Sequence, residues 1–86
     1  MQAHFNPNLR EAILKAVENQ LSNNNPPETK ETYRRLISEG HSEQDAKLLI
    51  ASVVAVEIFE VVNRREQYNH VRFVQALNRL PKISEA

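Results

Sequence analysis

LLIASVVAVEIFEVV, residues 48–62, holds only three polar side chains, Ser52, Glu57 and Glu60. A stretch this apolar needs burial, and its length and flanks decide what buries it. A bilayer-spanning helix needs about 20 apolar residues. This run is shorter, carries two glutamates and follows Asp45 and Lys47, so it reads as a core helix with no membrane role. Just before it, Ser42-Glu43-Gln44-Asp45 offers a serine N-cap with an acidic residue three positions on, close to a capping box. The helix is expected over 43–64. Ala51, Val54, Ala55, Ile58 and Val62 form one stripe, and Leu49, Ile50, Val53 and Val56 lie on the other side, so its first half is apolar nearly all round. Such a helix belongs in the middle of a bundle. Replacing Ile58 or Phe59 by Ala, at about 2–5 kcal/mol, is then expected to unfold much of the domain.

Outward from this segment, the single glycine and all four prolines fall between or at the ends of periodic segments. Asn6-Pro7 is an N-cap followed by proline at the first helical position, and Leu9, Ile13, Ala16, Val17, Gln20 and Leu21 recur at helical steps, predicting a helix over 7–21. SNNNPP, residues 22–27, cannot continue it and reads as a connection. A second helix, 27–39, carries a narrow stripe of Tyr33, Leu36 and Ile37 and ends at Gly40, a natural left-handed C′ residue. Asn69 caps a fourth helix, 70–80, with Tyr68 placed to staple onto Phe73, and KISEA at the end is expected to fray. No strand alternation or repeat is present. The expected fold is all-α, a single four-helix bundle over residues 1–86 with an apolar central third helix.

Composition narrows the function classes. Eighty-six residues build one core, and 41% apolar with 26% charged residues is the make-up of a folded domain. Eleven basic residues balance eleven acidic ones, so no global field favours nucleic acid or anionic lipid. The absence of cysteine removes disulfides, thiolate chemistry and cysteine-based metal sites. The opening MQAHFNPNLR lacks the basic and apolar regions of a secretory signal, so a cytoplasmic location is expected.

With NPNLREAILKAVENQL, PPETKETYRRLISEGHSEQDA, VVAVEIFEVV and FVQALNRLP in order, residues 6–81 resemble a group of small bacterial helical domains of unknown function, some found beside SEC-C-type zinc motifs. The resemblance implies an all-helical fold and no established activity. It also implies histidines on helix one and early in helix three, facing the equivalent of Glu57. Arg10, Leu14 and Leu48 stand at those places, so no metal is carried over.

Three groups are candidates for function. Glu57 and Glu60, three apart on one helix face, have the spacing of a carboxylate pair for metal or proton work, against a structural role in which they are solvated or paired with Arg64. The structural role is preferred. Arg64, Arg65, Arg72 and Arg79 make a candidate nucleic-acid patch, with Tyr68 and Phe73 among them for stacking. Chain neutrality argues against it, and Tyr33-Arg34-Arg35 is read as one core aromatic with two solvated arginines. Leu49, Ile50, Val53 and Val56 are the candidate protein interface, since three short helices need not cover both sides of helix three. His4, His41 and His70 share no spacing, no nucleophile has an adjacent base, and one glycine cannot build a phosphate loop. The expected protein is a non-enzymatic interaction module without cofactor or metal, binding a protein partner or itself as a homodimer; nucleic-acid binding through the arginines is the alternative.

Overall fold

Local chemistry sets where each helix begins and ends. The computed structural model describes residues 7–83, which form α1 (Pro7–Asn23), α2 (Pro27–Ser38), α3 (Glu43–Arg64) and α4 (His70–Arg79). The Asn6 cap, His4 and the tail from Ser84 to Ala86 lie outside the described residues. α2 starts with Pro27 at its first position, where a missing N–H costs nothing. The Ser42 hydroxyl accepts the Asp45 backbone N–H at 3.0 Å to open α3, and Asn69 Oδ1 accepts that of Arg72 at 3.0 Å to open α4. Both caps are those the sequence predicts.

Three helices end in the same way. Asn24 (φ 52°), Gly40 (φ 104°) and Arg65 (φ 54°) turn left-handed, and the next N–H reaches back five residues: Asn25 to Gln20 at 3.1 Å, His41 to Leu36 at 3.0 Å and Glu66 to Val61 at 3.2 Å. Glycine adopts this conformation freely and asparagine tolerates it. Arg65 does so at a cost of about 1–2 kcal/mol.

α3 packs against each of the other helices, α2 also meets α1 and α4, and α1 and α4 do not meet. The core joins Val17 of α1, Leu36 of α2, Ala46, Ile50, Ala51, Val53 and Val54 of α3, Phe73 and Leu77 of α4, and Leu80. The protein is thus an all-α four-helix bundle. Among the described residues no helix is long and apolar enough to cross a membrane.

Burial departs from the expected pattern in instructive places. Ile58 and Phe59 are 42% and 62% exposed and are no part of the core, because the shorter helices cover α3 mainly along its first three turns. Ile50 and Val53, expected on a free face, are buried at 0% and 8%; Leu49 is half-buried against the core, and only Val56 of that set is open. Leu9 is likewise exposed at the start of α1. Thr29 and Thr32 are buried on α2, and the Thr29 hydroxyl donates to Gln20 Oε1 at 2.8 Å, which satisfies it inside the α1–α2 contact. Arg35 is also not simply solvated. Its guanidinium donates to the carbonyls of Leu77 (3.0 Å) and Leu80 (2.9 Å), placing positive charge on the C-terminal end of α4.

Urea denaturation should therefore separate the two halves of α3. Ile50→Ala is expected to cost about 2–5 kcal/mol, and Phe59→Ala about 0.5 kcal/mol or less. Arg65→Gly should raise stability by about 1 kcal/mol by relieving the left-handed residue, read as a higher midpoint at unchanged slope.

Candidate functional site

Glu57 follows Ile50 by two turns and Val53 and Val54 by one, so it projects from the core side of α3. It is 7% exposed, and a buried carboxylate demands partners. Arg72 of α4 supplies two: Nε donates to Oε1 and Nη2 to Oε2, both at 2.9 Å, in a bidentate fork. The backbone N–H of Asn69 donates to Oε2 at 3.0 Å. Arg72 also reaches Glu66 Oε1 through Nη1 at 3.3 Å. The carboxylate thus sits at the N-terminal end of α4, where the helix dipole is positive.

These bonds decide the protonation state. The Arg72 guanidinium holds the Glu57 carboxyl below its usual range; burial opposes this and the Asn69 N–H adds to it. Glu57 in turn pushes Arg72 above the ordinary arginine range. A carboxylate so saturated is a permanent anion near neutral pH, suited to fixing α4 and unsuited to shuttling protons.

Beside this pair lies a groove of about 610 Å³, lined by Gln20, Pro26, Pro27, Glu28, Ile58, Tyr68, His70 and Phe73 among others. The Tyr68 ring lies 5.9 Å from that of Phe73 at 59°, the staple geometry expected from the sequence. Its hydroxyl is 2.9 Å from His70 Nδ1, and His70 Nε2 is 3.4 Å from Glu28 Oε2. Burial raises the Tyr68 phenol above its normal range, and the negative charges of Glu57 and Glu28 raise it further. Tyr68, His70 and Glu28 tie the loop before α4 to the start of α2.

The two candidate carboxylates separate in space by partner: Glu57 belongs to Arg72, while Glu60 pairs with Arg64 at 2.6 Å. Pairing of Glu60 with Arg64 was the structural role expected; the partner of Glu57 was not. Among the described residues no group of three or more His, Asp or Glu side chains is placed to hold a metal. His41 stands apart from His70, in a shallow depression with Asp45, Leu48 and Pro81.

The four arginines of the candidate nucleic-acid patch do not form one free surface. Arg72 is held by Glu57 and Glu66, and Arg64 by Glu60, so two of the four charges are matched locally. Arg65 and Arg79 are exposed without an ion pair among the described residues. Of the predicted apolar set only Val56 is open; with Phe59 and Val62 it follows three-residue steps around the outward side of the second half of α3, at 59%, 62% and 68% exposure, while Ile58 (42%) lies at the edge of that surface, beside the groove. One signal in the sequence does locate the Glu57 pair. A charged residue in register with Ile50, Val53 and Val54 must find a buried partner, although nothing local names Arg72.

The chain matches no protein-family model, no curated protein and no solved structure.

Because the folded-state carboxyl of Glu57 is depressed, its contribution to stability is complete above the ordinary carboxylate value of 4.5 and is lost as pH falls through the lower folded value. Glu57→Gln is expected to lower stability at pH 7 by about 1.5–3 kcal/mol, in line with hydrogen bonds to charged groups. It should also flatten the decline of stability below pH 4.5 seen in wild type. Chemical denaturation across pH 3–7 measures both.

Proposed function

We propose that this protein is a helical binding module that docks another polypeptide on the outward face of α3 and performs no chemistry of its own. The observation that carries this reading is the cluster of Val56, Ile58, Phe59 and Val62 in solvent, adjacent on the last turns of one helix. Scattered exposed apolar residues are ordinary on a monomer, whereas neighbours on successive turns of one helix form a continuous apolar surface of the kind that marks interaction sites. Phe59 is central among them, and an aromatic side chain flanked by β-branched neighbours suits an interface anchor. The side chains that hold the fold do not compete with this surface. Glu57 is turned inward to Arg72, and Glu60 is matched by Arg64, so no isolated charge is left beside Phe59 to oppose its burial.

The reading is tested with a photo-crosslinking amino acid at position 59, and at Arg34 as an exposed control on α2, in cells expressing the full chain. Discrete adducts are expected from position 59 alone and should disappear when Val62→Glu is added. Adducts from position 34 only, or none sensitive to Val62→Glu, would remove the outward face of α3 as a docking surface.

A further inference from the structure

We infer that the occupant of this face is the same face of a second copy, laid antiparallel, an inference that rests on the interaction-module reading above. Leu48, Ser52, Ala55, Phe59 and Val62 recur at steps of four, three, four and three residues, the spacing of a two-helix seam. The registers opposite that seam, including Ile50 and Glu57, already point into the bundle. α3 therefore carries two separate faces, one for its own fold and one built for another helix. Leu48, Ser52 and Ala55 are half-buried, and Phe59 and Val62 are open.

Side-chain size fits self-pairing. The two small residues, Ser52 and Ala55, lie between Leu48 and Phe59, so a two-fold axis passing between them lets the backbones approach closely at the centre while Leu48 of each copy meets Phe59 of the other. Burial of Ser52 leaves no donor stranded, because its hydroxyl already donates to the Leu49 carbonyl at 2.6 Å.

Charge selects the direction. Asp45 lies in the first turn of α3 and Arg65 just beyond its last, both exposed and neither in an ion pair among the described residues. With the axis between Ser52 and Ala55, antiparallel helices bring each Asp45 within about one turn of Arg65 on the other copy. A parallel pair would set Asp45 against Asp45 and Arg65 against Arg65. Antiparallel helix dipoles favour the same choice. The contact is isologous and closes at two copies. With one helix contributed per copy it falls at the small end of specific interfaces, so the dimer should form in the micromolar to submillimolar range.

The test is sedimentation equilibrium of the full chain from about 1 μM to about 1 mM, a range that brackets that estimate, on wild type and four variants. A reversible dimer of the 9.9 kDa chain is expected. Phe59→Glu, at an exposed position and therefore compatible with folding, should raise the dissociation constant at least about 30-fold, as loss of an interface anchor does. Val62→Glu provides a second variant with the same expectation, and circular dichroism confirms that each remains helical. Asp45→Arg or Arg65→Asp alone should weaken association several-fold, and the two together should restore it, a rescue that only the antiparallel arrangement gives. A monomer at all concentrations overturns the inference, as does a dimer indifferent to Phe59→Glu and Val62→Glu. A dimer weakened by those two variants but not rescued by the double reversal also overturns it, since the antiparallel direction then fails. The crosslinked product from position 59 separates this failure from that of the wider reading: an adduct at other than twice the chain mass leaves a docking face with a different partner, and no adduct removes both.

Discussion

A 22-residue helix built around the apolar run 48–62 is not enclosed on all sides by helices of 17, 12 and 10 residues. That mismatch governs the rest of the molecule. α1, α2 and α4 all pack on α3, and together they bury the registers of Ala46, Ile50, Ala51, Val53 and Val54. Beyond Glu57 the cover runs out. The same side of the helix continues inward through Glu57, whereas the outward side reaches solvent with Val56, Phe59 and Val62 still apolar. A fold with this few residues has little stability to give up, so solvent-exposed apolar side chains that add nothing to the core invite a functional explanation.

The shortest helix shows how such a bundle holds its parts. Ten residues are too few for a stable isolated helix, and α4 contributes Phe73 and Leu77 to the core, with Ala76 packed against it. Its ends are held by side chains from elsewhere. Glu57 of α3 lies at its positive N-terminal end and takes the Asn69 N–H, while Arg35 of α2 lies at its negative C-terminal end and takes two carbonyls. Each charge has the sign that the helix dipole favours, and each also satisfies backbone groups that a helix leaves unpaired at its ends. Arg72 completes the clamp from α4 itself, matching Glu57 so that the buried carboxylate is not left alone. This arrangement also changes what the basic C-terminal quarter can do. Two of the four arginines that look like a patch in the linear sequence are matched within the fold: Arg72 is committed to two glutamates and Arg64, at the surface, to a third.

Much of this was legible in the residues. The four helices, their boundaries to within about two residues, the Ser42 and Asn69 caps, the left-handed Gly40 and the Tyr68–Phe73 staple follow from local stereochemistry and hydrogen bonding, which act over a few neighbouring positions. The apolar run from Leu48 to Val62 announced a helix that needs company on more than one side.

What only the tertiary structure decided is which side is covered, and how far. Periodicity places Ile50 and Val56 at the two edges of one broad stripe, yet one is fully buried and the other is open, because α1, α2 and α4 pack on the side of α3 that carries Ile50, Val53 and Glu57 and leave the side that carries Val56 uncovered. Ile58 and Phe59 look like core residues for the same reason and are not. The partner of Glu57 was hidden as well. Arg64 is near in sequence, but Arg72 is delivered by a chain reversal between α3 and α4, and the choice between them rests on distances that no local pattern encodes. Short-range chemistry shaped the helices, and the side of α3 on which the others pack, together with their unequal lengths, determined which apolar residues were left facing outward.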